Sequence, residues 1–182
     1  MKHKLEVFYS ESQIAARVSE LGEQVSRDYG EQPVDVVAVL DQAFIFASDL
    51  VRRIRCPVRV HFLRADTRKV AAGGQAEVKE IFFWPEIRAA GKNILLVEGV
   101  LHTGITLDFV TRRLQLGQPQ SLRTAVLLHR PEAQRVEIKP DYFGFLVASN
   151  VVVGYGLDWE GQYANLSYLA KFDRPAPMMG EG

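Results

Sequence analysis

Apolar residues recur at helical spacing near the start of the chain. They lie three or four residues apart, which predicts one buried face of an α-helix. We expect the helix to begin at Ser10, where the letters S-E-S-Q can form a capping box, and to end at Gly30. The apolar positions are Ile14, Val18, Leu21 and Val25.

Shorter apolar runs predict strands along the rest of the chain. Helical segments at 44–54 and at about 104–116 alternate with these runs, a pattern typical of a parallel α/β sheet. Ligands of such sheets bind at the carboxyl ends of the strands. We expect Leu40-Asp41, Glu98-Gly99 and His129-Arg130 at three of these ends. The predicted strands are 34–40, 58–63, 94–97, 121–128, 143–147 and 151–153.

Two segments lack any apolar pattern. The stretch 65–77, ADTRKVAAGGQAE, is polar, small and rich in glycine, which predicts a mobile loop that acts as a lid. The final DRPAPMMGEG predicts a loose end. We therefore expect residues 1–173 to form one domain and residues 174–182 to form a flexible tail.

Composition excludes several classes of function. The 182 residues include 22 Lys and Arg against 22 Asp and Glu, so a broad nucleic-acid footprint is not expected. No stretch approaches the roughly 20 apolar residues of a membrane helix, and the first residues do not resemble a signal peptide. Cys56 is the only cysteine, which excludes an internal disulfide and favours a buried structural thiol. We expect a cytoplasmic protein.

The stretch NILLVEGVLHTGITL, residues 93–107, carries the clearest chemical signal. An apolar strand is followed by one acid, small residues and the start of a helix. Backbone N–H groups and two threonine hydroxyls at the positive end of a helix form a good anion site. The sequence therefore predicts a phosphate-binding loop here.

This stretch resembles the phosphoribosyl-pyrophosphate (PRPP) motif of type I phosphoribosyltransferases. VVAVLDQAFIFASDLVRRI resembles the segment that precedes the motif, and KPDYFGF with VVVGYGLDWEGQYANL resembles hypoxanthine-guanine phosphoribosyltransferases. The resemblance implies a parallel-sheet α/β fold with a small hood formed by terminal segments. It also implies transfer of phosphoribose from PRPP to a 6-oxopurine with Mg²⁺, and self-association as a homodimer or homotetramer.

Several positions match the family's binding residues. The resemblance implies that Glu98 holds a ribose hydroxyl, and that Glu98 and Asp158 are the candidate Mg²⁺ ligands. The loop for the 5′-phosphate is intact. Its residues are Thr103, Gly104, Ile105 and Thr106.

The ribose and proton-transfer positions depart from the family. Gly99 stands where a second acid holds the ribose, and His102 replaces the aspartate that faces the purine. The loss at Gly99 removes a charge-assisted hydrogen bond worth roughly 1.5–3 kcal/mol. An imidazole titrates near 6.5, so His102 is either a general base or a histidine tolerated after the acid was no longer needed. We favour the second interpretation.

The pyrophosphate and lid positions depart further. Asp41 and Gln42 stand in a loop where the family has lysine and glycine, and Asp41 would repel a polyanion. Ala164 replaces an arginine that contacts pyrophosphate, while Thr67-Arg68 replaces the serine–tyrosine pair of the lid.

The base subsite is also altered. Arg130 matches the lysine that selects the purine and can donate to a carbonyl oxygen. Val151, with Val152 beside it, stands where the family has an aromatic ring that stacks on the base. The family's substrate-binding residues are therefore all present at the 5′-phosphate loop, whereas some are missing at the ribose, pyrophosphate and base positions.

We interpret the chain as a homologue that binds a nucleoside monophosphate or PRPP, with classical purine transfer weakened or lost. One alternative is an active phosphoribosyltransferase of altered substrate that uses His102 as the base. Another is a regulatory or interaction protein without catalysis.

Overall fold

The computed structural model describes residues 5–69, 77–84, 87–148 and 151–172. The predicted tail, 174–182, lies outside these residues. None of the helices in this part of the chain is long and apolar enough to cross a membrane.

A six-stranded sheet forms the centre of the protein. Five strands are parallel and β4 is antiparallel at one edge, in the order β4-β3-β2-β5-β6-β7. The α/β prediction is therefore confirmed. The strands are β2 (Val34–Leu40), β3 (Val58–Lys69), β4 (Glu77–Trp84), β5 (Asn93–Leu101), β6 (Ser121–His129) and β7 (Tyr142–Leu146).

A second sheet of three strands is built from segments near the two ends of the chain. It contains β1 (Glu6–Tyr9), β8 (Val151–Val153) and β9 (Leu169–Phe172) in the antiparallel order β1-β9-β8. This sheet is the hood that the resemblance implied. The sequence pattern had not predicted β1 or β9, because four residues are too few to show a periodicity.

Helices cover both faces of the large sheet. They are α1 (Glu11–Tyr29), α2 (Phe44–Val51) and α3 (Ile105–Gln115). Alternate residues of β2 point to opposite faces, so Val36 packs with α1 and α2 while Val37 packs with α3. Because both faces are covered, β2 is apolar along nearly its whole length.

The first helix forms as predicted. Ser10 caps α1 through a complete capping box with Gln13, and the four predicted apolar residues are buried. Gly30 ends the helix at a φ of 59°. The second helix is shorter than predicted, since Arg53 N donates to Leu50 O at 2.9 Å and tightens the chain into a turn after Val51.

The predicted lid is wrong in part. Residues 65–69 continue β3, and β3 pairs with β4 from Phe62 opposite Trp84 to Lys69 opposite Glu77. The polar composition was mistaken for a loop because the backbone partners lie on a later segment of the chain. Residues 70–76 lie outside the described residues.

Candidate functional site

A cavity of about 300 Å³ opens near the carboxyl ends of β2 and β5, beside Arg64 in the middle of β3. Charged and polar groups from five segments of the chain meet in it, which makes it the candidate site. Its lining residues include Asp41, Gln42, Arg64, Glu98, Gly99, Thr106 and Asp158.

Glu98 and Gly99 lie inside β5, not beyond its end as the sequence had predicted. The strand continues to Leu101, which pairs with His129 of β6. A Cβ atom at Gly99 would lie 2.8 Å from Gln42 O, too close for a real side chain. The loop after β2 therefore occupies the space into which a side chain at position 99 would extend.

The predicted phosphate loop joins β5 to α3. Gly104 has a φ of 80°, and a Cβ atom there would lie 2.6 Å from Val136 O, so no other residue fits without a shift. Thr103 Oγ1 accepts a hydrogen bond from Ile105 N at 3.5 Å, at the first residue of α3. Thr106 lines the cavity from the first turn of the helix. The helix start thus presents its N–H groups beside the cavity.

Arg64 is a site residue that the sequence analysis missed. Its Nη2 lies 3.3 Å from Asp41 Oδ2, and both side chains are well exposed. The peptide bond between Leu40 and Asp41 is cis. Parallel pairing sets Arg64 opposite Leu40, so a strand predicted one residue longer would have revealed it.

His102 lies on the loop next to the cavity and is exposed. Partial burial, followed by the positive charges of Arg130 and Arg135, lowers the pKa of His102 below its ordinary value. The imidazole is therefore neutral near pH 7. Arg135 was not predicted, because its closeness to His102 depends on a contact between distant segments.

Asp158 enters the cavity from the chain that follows β8. Its Oδ2 accepts a hydrogen bond from Gly161 N at 2.9 Å, which leaves Oδ1 for another ligand. Among the described residues there is no cluster of three or more His, Cys, Asp and Glu side chains suited to a metal. Glu98 and Asp158 both line the cavity, and Mg²⁺ commonly takes one or two carboxylates and completes its shell with phosphates and water.

The structure does not bring Val151 and Val152 into the cavity lining. Both lie in the hood, where Val151 packs against the buried residues Val153 and Ala170. Val152 packs against the core beneath the hood. The role implied for these two valines therefore remains a prediction.

Comparisons with known proteins agree on one family. The family model for the phosphoribosyl transferase domain matches residues 6–160. The hypoxanthine phosphoribosyltransferase of Haemophilus influenzae is 34% identical over 93% of this chain and 96% of its own.

Solved structures give the same result. A hypoxanthine-guanine phosphoribosyltransferase from Bacillus anthracis has a TM-score of 0.81 and 31% identity, over 93% of this chain and 99% of its own. The hypoxanthine phosphoribosyltransferase of Trypanosoma cruzi, in complex with the product IMP, has a TM-score of 0.84 and 26% identity over 94% of this chain and 95% of its own.

Proposed function

This chain belongs to the phosphoribosyltransferase family, and on that premise we propose that it binds a 5′-phosphorylated ribose ligand while transferring purines weakly or not at all. One observation carries the proposal. The cavity combines Glu98, Thr106 and Asp158 with a backbone that leaves no room for a side chain at Gly99.

The phosphate grip, formed by the loop between β5 and the start of α3, supports binding of a 5′-phosphorylated ligand. It depends mainly on backbone N–H groups at the start of α3, which changes in neighbouring side chains disturb little. Gly104 keeps the loop in its left-handed conformation, and Thr106 adds a hydroxyl on the cavity side. A nucleoside 5′-monophosphate meets this grip directly, and the Trypanosoma cruzi relative is described in complex with such a ligand, IMP.

The ribose grip supports weak transfer. Of the two adjacent positions that hold the ribose in the family, only Glu98 carries a carboxylate, and the Gln42 backbone stands where a side chain at Gly99 would begin. Loss of one charge-assisted hydrogen bond costs on the order of 1.5–3 kcal/mol of ligand binding. Ala164 carries no charge for a pyrophosphate, which weakens donor binding further.

Mg²⁺ would be held by Glu98 and Asp158 together with the phosphates of the ligand. When bound, it would neutralise charge on those phosphates. Glu98 and Asp158 would hold and orient the ligand, while the N–H groups of the α3 start would fix the 5′-phosphate.

Calorimetric titration with IMP and with PRPP, beside an assay of transfer to hypoxanthine and guanine, tests the proposal. We expect IMP to bind more tightly than PRPP and transfer to be very low. Thr106→Val should weaken IMP binding by about 0.5–1.5 kcal/mol, since it removes one donor. Thr111→Val is the matched control, because the buried Thr111 Oγ1 on the same helix has no partner among the described residues. Family-like turnover, or IMP binding that does not respond to Thr106→Val, would contradict the proposal.

A second candidate is active transfer with His102 as general base. Its lowered pKa favours this role, because a neutral imidazole can accept a proton at pH 7. Activity should then fall on acidification only below the ordinary histidine pKa of about 6.5, and His102→Ala should abolish that limb of the pH–rate profile. A flat profile in this range would exclude the role.

Self-association and a cytoplasmic location remain predictions. The resemblance implies a homodimer or homotetramer, which sedimentation of the purified chain would test. A purified protein that carries no nucleotide and binds none would instead favour the regulatory or interaction role.

A further inference from the structure

His102 is bracketed by two arginines through contacts of the backbone. Arg130 N donates to Leu101 O at 3.0 Å, and Arg135 N donates to Thr103 O at 2.9 Å. Leu101 and Thr103 are the two chain neighbours of His102. The segment after β6 therefore carries one arginine to each side of the loop that holds the imidazole.

Neither arginine forms an ion pair with a carboxylate in the described part of the chain. No carboxylate of the described residues lies within 4.0 Å of either guanidinium group, and Nε of Arg130 is buried without a hydrogen-bond partner there. Burial lowers the pKa of His102, and the positive charges of Arg130 and Arg135 lower it further. With the imidazole neutral near pH 7, the loop that holds His102 still has two positive charges beside it.

A positive site of this kind discriminates between oxopurines by their charge. A ring that loses a proton near neutral pH presents anionic oxygen and nitrogen acceptors to a guanidinium group. Hydrogen bonds to such acceptors are shorter and stronger than those to the carbonyl of a neutral ring. A neutral 6-oxopurine gains little from the second arginine, because it carries no net charge to balance it.

We propose that the base subsite selects an acidic oxopurine, bound as the ring anion, and that Arg135 is the residue that sets this preference. The inference rests on the proposed binding of a 5′-phosphorylated ribose ligand and adds the chemical class of its base. An acidic oxopurine is already deprotonated when it binds, so its recognition requires no carboxylate at position 102.

The test compares xanthosine 5′-monophosphate with IMP. The two ligands share the phosphoribosyl group, but only the dioxopurine of the first is largely ionised near neutral pH. In calorimetric titrations at fixed ionic strength, we expect xanthosine 5′-monophosphate to bind about tenfold more tightly, since charge-assisted hydrogen bonds are roughly twice as strong as neutral ones. The binding of IMP serves as the internal reference for the shared phosphate grip.

Three variants test whether Arg135 sets the preference for xanthosine 5′-monophosphate over IMP. Arg135→Gln should reduce the ratio of the two affinities to about threefold or less by weakening only the ionised ligand. Arg135→Lys keeps the charge and should retain most of the preference. Arg113→Gln removes a charge from the exposed side of α3, away from the loop, and should leave the ratio unchanged. Arg135→Gln and Arg135→Lys both keep the backbone N–H of residue 135, so its hydrogen bond to Thr103 O persists.

The outcomes separate the two proposals. Equal affinities of the wild-type protein for the two nucleotides overturn the charge preference while the proposed function stands. A preference that survives Arg135→Gln overturns the role of Arg135. If neither nucleotide binds, the proposed function itself fails, and the preference fails with it.

Discussion

An aspartate lies at each end of β2 and pairs with an arginine of β3. In one pair the aspartate is buried and stabilises the fold, whereas in the other it is exposed at the candidate site. Asp35, near the start of β2, lies 3.8 Å from Arg59, and Asp41, just after its end, lies 3.3 Å from Arg64. The Asp35 side chain is only 8% exposed, whereas that of Asp41 is 70% exposed. The same pair of residue types therefore occurs once within the fold and once at the rim of the candidate site.

The number of partners differs as much as the burial. Asp35 Oδ2 also accepts from Lys92 Nζ at 2.8 Å and His61 Nε2 at 2.9 Å, so three side chains, with that of Arg59, depend on one buried carboxylate. A buried charge is costly unless it is paired, so this cluster must stay intact. The exposed pair is worth little to stability, which leaves both of its members available to a ligand.

The largest expected effect is on stability at the buried end. Asp35→Ala removes the shared acceptor of Lys92 and His61 and should lower the free energy of unfolding by about 2–3 kcal/mol, a value reduced for the partial exposure of the cations. Asp41→Ala is the matched control and should change it by less than about 0.5 kcal/mol. Urea unfolding measures both, and equal losses would remove the contrast between the two ends.

The pH dependence sharpens the same contrast. Burial alone would raise the pKa of Asp35, but hydrogen bonds from Lys92 and His61 outweigh it, and the pKa falls below its ordinary value. A carboxyl with a lowered pKa stabilises the fold above the unfolded pKa of about 3.9, and that stability is lost as the pH falls through the folded pKa. The difference between wild type and Asp35→Ala should therefore be constant from about pH 6 to 5 and shrink below about pH 4. A difference that grows on acidification would contradict this sign.

The contrast also shows how far local sequence patterns carry a prediction. The periodicity of α1, the apolar run of β2 and the glycine of the phosphate loop are local signals, and all three predicted the observed structure. Arg64 and Arg135 were missed because each acquires its partner through strand register or a loop contact with a distant segment. Residues 65–69 were mistaken for a loop for the same reason, since their pairing with β4 is not visible in their own composition.

At the site, local sequence motifs indicate which residues lie near the cavity but not how the neighbouring loops pack around them. Glu98, Thr106 and Asp158 line one cavity, and the roles that the resemblance implies for them stay predictions. The close approach of Gln42 to Gly99 could not be predicted, because it depends on how two loops pack. The interpretation that Asp41 would repel a polyanion did not include Arg64, which lies within ion-pair distance of Asp41.

A moderate effect is expected from removing the exposed arginine. Arg64 lines the cavity, so Arg64→Gln should weaken PRPP binding about tenfold, by loss of a charge-assisted hydrogen bond of roughly 1.5 kcal/mol, and should leave IMP binding nearly unchanged. Arg59→Gln is the matched control, because it removes the same charge from the same strand at the end away from the cavity. Calorimetric titration with both ligands measures the four affinities. A similar loss in both variants would mean that net charge alone, and not the position of Arg64, determines PRPP binding.

The smallest expected effect is at Asp41 itself. A pyrophosphate group must compete with Asp41 for Arg64, and it is also repelled by the Asp41 carboxylate. Asp41→Asn should therefore raise PRPP affinity by a few-fold, about 1 kcal/mol or less for so exposed a pair, with IMP affinity unchanged. In the background of Arg64→Gln, the gain in PRPP affinity from Asp41→Asn should largely disappear. The pyrophosphate and Asp41 no longer compete for Arg64, and only the weaker repulsion by the Asp41 carboxylate remains. Titrations of wild type, the two single variants and the double variant at one ionic strength form the cycle that measures this coupling. If the gain is the same with and without Arg64, the exposed pair does not act as a unit, and Asp41 influences the ligand through repulsion alone.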